Sequence, residues 1–257
     1  MTVTSGQLAD WIGAFFWPLM RIGMMFTVAP IFGGRLVPVR ARLMVALAVT
    51  WVVVPSLPPP PAVDPISVQG LLISVQQLLI GAAMGFALQL VFAALVVGGQ
   101  VVAMSMGLGF ASMVDPQNGV QVPVLSQYYV AVATLLFLAM NGHLALIGVL
   151  MDGFHAMPVG ASGIGAAGYW NLVAWAGHMF SGAVLIALPA VSALLMVNIA
   201  FGVITRAAPQ LNIFAVGFPV TMLIGFVVIL VTLPSMLPQL SHLVTSSFAL
   251  MGGFGAH

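Results

Sequence analysis

Apolar residues dominate the chain in long blocks, broken by short stretches of Pro, Gly, Asn and Asp. The first block covers residues 8–32. A second, shorter one extends from about residue 37 and stops at Pro55 and the proline block 58–61. A third begins near Pro65 and carries no charge until Asp115. A fourth covers about 122–150, a fifth 169–204, and a sixth begins near Asn212 and reaches about Phe248, with Pro219, Pro234 and Pro238 inside it. About 20 apolar residues suffice to cross a bilayer, so the pattern predicts six long hydrophobic helices arranged as helical hairpins. No short repeat is evident.

The stretch 105–127 interrupts this pattern. It lies between two uncharged runs yet does not read as a plain helix. Gly107 and Gly109 weaken helix propensity, Pro116 and Pro123 break the backbone ladder, and Asp115-Pro116-Gln117-Asn118-Gly119 reads as a turn. Its apolar side chains, Met104, Met106, Leu108, Phe110 and Met113, are large and pliable. Irregular backbone at membrane depth survives only where protein buries it or where it lines a cavity, so the stretch is expected to act as a mobile plug in a conduit.

Composition sharpens the class. Of 257 residues, 62% are hydrophobic, and the formal charges number five Arg and four Asp, with no Lys and no Glu. A soluble domain carries about a quarter charged residues, so the chain is read as an all-α integral membrane protein. No basic run suggests nucleic acid, and without Cys there is neither disulfide nor thiolate metal site. Asp10 stands where a signal peptide would carry a cation, so the first run is read as a retained span. Arg35, Arg40, Arg42 and Arg206 fall in alternate turns on one side, which the positive-inside bias makes cytoplasmic.

Few residues could carry chemistry. Arg21 lies near the middle of the first run, where a charge is costly unless it meets protein, water or a carboxylate. With no acid of this chain as an obvious partner, the expectation is a contact with another subunit; snorkelling to a surface is the plainer reading. Gly81 and Gly85 form a GxxxG pair and Ala183 with Ala187 a small-xxx-small pair, both suited to close helix approach. The five histidines lack a metal-binding spacing, and Asn141-Gly142-His143 marks a span start or a bend. Gly160-Ala161-Ser162-Gly163 matches the GxSG nucleophile pattern of rhomboid-like intramembrane serine proteases, with His178 downstream. A flexible polar loop is the plainer reading there. No P-loop exists, and no Lys to serve one, so no cofactor is expected.

Taken together, several segments are similar to a known family. They are Phe16-Trp17-Pro18-Leu19-Met20-Arg21, Ala29-Pro30-Ile31-Phe32 with Val37-Pro38-Val39-Arg40-Ala41-Arg42, Gly107-Leu108-Gly109-Phe110 through Asp115-Pro116, Asn141-Gly142-His143, and Arg206-Ala207-Ala208-Pro209-Gln210-Leu211-Asn212-Ile213-Phe214. In this order and spacing the chain resembles the FliR/SctT family of type III export-gate proteins, with the flagellar branch favoured over the virulence branch. The resemblance implies a subunit of the flagellar export gate in the bacterial inner membrane, within the basal body and raised toward the periplasm. Its partners would be FliP, FliQ and FlhB, and its cargo unfolded flagellar proteins. It further implies a FliP-like part at 1–168 and a FliQ-like hairpin at 169–257. The family's plug maps onto about 106–122, covering Met106, Gly107, Leu108, Gly109, Phe110, Met113, Asp115, Pro116, Gln117 and Asn118. Arg21, Arg206, Pro209, Asn212, Gly81 and Gly85 would serve subunit contacts or structure. No catalytic or metal role is implied.

Overall fold

Eight α-helices follow one another among the described residues, and no strand occurs there. They are α1 (Ser5–Val28), α2 (Val39–Val53), α3 (Val68–Ser105), α4 (Val124–Ala139), α5 (Gly142–Ala156), α6 (Ala166–Ala207), α7 (Ile213–Thr232) and α8 (Met236–Gly252). Short 3₁₀ turns occupy Val54–Ser56, Leu233–Ser235 and Gly253–Gly255. The computed structural model describes residues 5–34, 37–108, 124–208 and 213–255, without the side chains of 5–12, 213–216 and 218. Arg35, Gly109, Phe110, Met113, Asp115, Pro116, Gln117, Asn118, Pro209 and Asn212 therefore lie outside the described residues or side chains.

The helix ends follow local chemistry. Pro38 precedes α2, and the 3₁₀ turn containing Pro55 closes it. α3 runs 38 residues, about 57 Å at 1.5 Å per residue, far beyond a hydrocarbon core of about 30 Å. At its end Gly107 adopts φ 82°, Leu108 N–H donates to the Ala103 carbonyl and Gly107 N–H to the Met104 carbonyl, both at 3.0 Å. That bond pair is the Schellman stop, which needs a left-handed residue at its centre and so favours glycine.

Four helices or helix pairs are long and apolar enough to cross a membrane: Val39–Ser56, Val68–Ser105, Ala166–Ala207 and Pro219–Gly255. The expected fourth run is broken. Asn141 sits at φ 56° in the left-handed region, and α4 and α5 meet there at a bend of 68°. Counting that pair as one span gives five. The count among the described residues is therefore four or five rather than the expected six; of the first run, Gly13–Val28 counts there as a shorter apolar helix within α1.

The contacts divide the chain into two compact units that interleave in sequence. Residues 1–90, 141–176 and 244–257 make one; residues 91–140 and 177–243 make the other. Helices α3, α6 and α8 each contribute to both. In the first unit Trp17, Phe26, Ile80, Met84, Leu150 and Phe154 are buried together. In the second, Phe92 and Phe137 meet edge to face, centroids 6.1 Å apart, beside buried Leu95, Ala133 and Leu194.

Candidate functional site

Two constructions stand out, one in each unit. The first surrounds Arg21, whose side chain is 0% exposed. Its Nε donates to Gln77 Oε1 at 2.8 Å, its Nη1 to the Gly153 carbonyl at 3.2 Å and its Nη2 to the Met157 carbonyl at 2.9 Å. The guanidinium carbon lies 4.1 Å from the Phe154 ring centroid. Both carbonyls belong to the C-terminal end of α5, where the helix dipole is negative, and the ring face adds a cation–π contact. The partner expected in another subunit is thus found in this chain, and it is a set of carbonyls, an amide and a ring rather than a carboxylate.

Close helix approach makes that cluster possible. A Cβ on Gly81 would collide with the Arg21 carbonyl, and one on Gly85 would come within 2.8 Å of the Met25 carbonyl. The GxxxG pair therefore packs α3 onto α1 of the same chain. One turn before Gly81, on the same face, Gln77 reaches Arg21, and Ser74 accepts from Trp17 Nε1 at 3.2 Å. Gln77 was missed by the sequence reading, although an amide four residues before a helix-contact glycine is a usable signal. Gln77 Nε2 has no partner.

The second construction frames the irregular stretch. α4 begins beside α3: Ser126 Oγ donates to the Val96 carbonyl at 2.9 Å, and a Cβ on Gly99 would stand 2.9 Å from Ser126 Cα. Met106 is fully buried, with its side chain against Gly225 of α7. The chain thus leaves α3 and re-enters α4 from one unit, with both flanks fixed. Met106, Gly107 and Leu108 belong to the fixed flank: a packed side chain and a helix stop. The remaining plug residues, Gly109 to Asn118, lie outside the described residues.

The remaining candidate residues are not brought together. Ser162 is exposed in the loop ahead of α6, not at the buried start of a helix. His178 lies in a different compact unit from Ser162. No His/Asp cluster able to hold a metal ion occurs among the described residues. Arg206 is exposed in the last turn of α6, where the helix dipole favours a cation.

Long apolar helices, a buried cation solvated by backbone, and glycine-mediated contacts define a multi-span α-helical membrane protein. The profile of bacterial export proteins, family 1, matches residues 12–247, and the chain belongs to that family. It is 39% identical over 251 residues to the flagellar biosynthetic protein FliR of Escherichia coli (strain K12), covering 98% of this chain and 96% of that one. Against the FliR of Pectobacterium carotovorum subsp. carotovorum identity is 36%, with the same coverage of each chain. Against that of Bacillus subtilis (strain 168) it is 28%, over 88% of both chains.

Proposed function

We propose that this chain forms and gates part of the pore of the flagellar type III protein export gate. It is a component of the flagellar export apparatus, as the near-full-length likeness to proteins named FliR indicates, and it acts as a structural component rather than an enzyme. Nothing supports a protease built on Ser162. The finer reading is that it assembles with FliP and FliQ in the inner membrane at the basal body, with FlhB against the closed gate. Unfolded flagellar proteins would pass through. Residues 1–168 would then play the FliP-like part and 169–257 the FliQ-like hairpin. Arg206, Pro209 and Asn212 would face neighbouring subunits.

The observation that carries the gate is the pinning of both flanks of 105–127 to one unit. A segment held at its two ends can swing without dragging its helices, and soft Phe110 and Met113 side chains can seal against ions yet yield to a polypeptide. The test is deletion of 109–122, which spares Met106 and the helix stop at Gly107. Cells carrying the deletion should admit ions or a small dye through the assembled gate while still assembling it. A gate that assembles and stays tight would refute the plug.

A further inference from the structure

Met106 follows the last residue of α3, and its N–H donates to the Val102 carbonyl at 3.0 Å. A Cβ built on Gly225 of α7, in the same compact unit, would stand 2.7 Å from Met106 Cγ, 2.9 Å from its Sδ and 2.6 Å from its Cε. Three successive side-chain atoms at nearly one distance mean that the thioether lies lengthwise across the bare glycine. Turning its terminal methyl alone would not admit a side chain there. Gly225 belongs to the buried stripe of α7, with Thr221 four residues before it and Ile229 four after. The other glycine contacts in this half of α3 are made to backbone. A Cβ on Gly98 would meet the Ala183 carbonyl of α6 at 3.1 Å, and one on Gly99 would meet Ser126 Cα. At α7 the contact is made instead by a pliable side chain, packed on a residue that offers it no side-chain hydrogen bond. α7 is also soft just before the seat. Pro219 has no N–H for the Ala215 carbonyl, and Thr221 Oγ1 donates to the Gly217 carbonyl at 2.9 Å, a back-bond that bends helices.

The geometry points to Met106 as a latch and Gly225 as its seat, through which the position of α7 controls the gate. Seated, Met106 fixes where α3 stops, and Gly107 beside it fixes the direction in which the chain leaves the helix. A shift of α7 at its Pro219 turn withdraws the seat, frees Met106 and moves the root of the 109–122 stretch. Met106 is thus a positioning residue rather than a seal in the pore. The latch rests on the reading of 105–127 as the gate, and adds to it the element whose movement the gate answers.

Entry of a small dye into cells carrying the whole export apparatus tests this, with the amount of assembled complex measured alongside. Gly225→Ala should assemble and admit dye at least about fivefold faster than the unaltered chain, the population change that overpacking a seated side chain implies. Met106→Ala should leak as well, because the latch is gone. The two exchanges together should leak less than Gly225→Ala alone, since the new methyl takes the room that the thioether vacates. Two independent losses of stability would not suppress each other in this way. Gly202→Ala, with open space around it on α6, should leave the gate tight. Should Gly225→Ala fail to assemble, Met106→Cys combined with Gly225→Cys decides. The chain has no cysteine of its own and the two positions lie within disulfide reach, so oxidation should lock the seat and stop export until a reductant is added. An assembled but tight Gly225→Ala, a double variant as leaky as both losses combined, or undiminished export through the oxidised pair would overturn the latch. A gate that stays tight without 109–122 would sink the gate reading itself, whereas a leaky deletion beside a tight Gly225→Ala would sink the latch alone.

Discussion

A double-mutant cycle on Arg21 and Gln77 gives the sharpest test of the buried cluster. Gln77→Leu removes the acceptor of Arg21 Nε while leaving the guanidinium in place, fully buried. Hydrogen bonds to charged groups contribute about 1.5–3 kcal/mol, and a stranded buried donor costs at least as much, so Gln77→Leu should destabilise by about 2–3 kcal/mol. Arg21→Met behaves differently. It strands Gln77 Oε1 and the Met157 carbonyl, but the Gly153 carbonyl keeps its bond from Met157 N–H at 2.9 Å. It also relieves the cost of burying a charge, so its own penalty is partly offset. In the Arg21→Met background, Gln77→Leu deletes an amide that has already lost its partner, and should be neutral or stabilising. The coupling should therefore be at least about 1.5 kcal/mol, read by equilibrium unfolding in mixed micelles. Equal costs of Gln77→Leu in the two backgrounds would refute the reasoning. Were Arg21 instead a subunit contact, Arg21→Met would spare the isolated chain and abolish only co-purification of the complex.

The helix contact at Gly81 offers a simpler perturbation. Gly81→Val should cost about 1–3 kcal/mol by overpacking against α1, whereas Gly148→Ala, with open space around it, should be close to neutral in the same unfolding assay. Gly107→Ala forces an alanine to φ 82° and should cost about 1–2 kcal/mol, seen as faster hydrogen exchange of the amides at 106–108; unchanged protection would contradict the helix-stop assignment. Ser162→Ala should leave motility and export at wild-type level, and complete loss of either would revive the protease.

What the sequence made legible depended on whether the cause was a side chain. The excess of apolar residues and the near-absence of charge made the helical membrane class readable at once. The end of α3 was readable because Gly107 is a letter in the chain, and Asn141-Gly142 likewise announced a break in the fourth run. Arg21 was visible as an anomaly, but its partners were not. Two of them are backbone carbonyls of Gly153 and Met157, which every residue carries, and the third is an amide in a run that showed no charge to draw the eye. Absence of an acid pointed outward to another subunit, when a helix C-terminus within the chain supplied the negative potential. The interleaving of the two units was equally hidden. α3 and α6, of 38 and 42 residues, give one end to each unit, and so does α8 with only 17, so no length or pattern in the chain marks the division.

The bend at Asn141 carries a consequence for sidedness. α4 and α5 hold 16 and 15 residues, about 24 and 23 Å of helix, so neither arm alone spans a hydrocarbon core of about 30 Å. Between Arg40 and Arg206 the chain passes through α2, α3, the bent pair and α6. If the pair crosses once, the number of crossings is even and the two arginines share a compartment; a pair that enters and leaves by one face makes the number odd and puts them in opposite compartments. The path of the bent pair at Asn141 thus decides whether Arg40 and Arg206 face the same water.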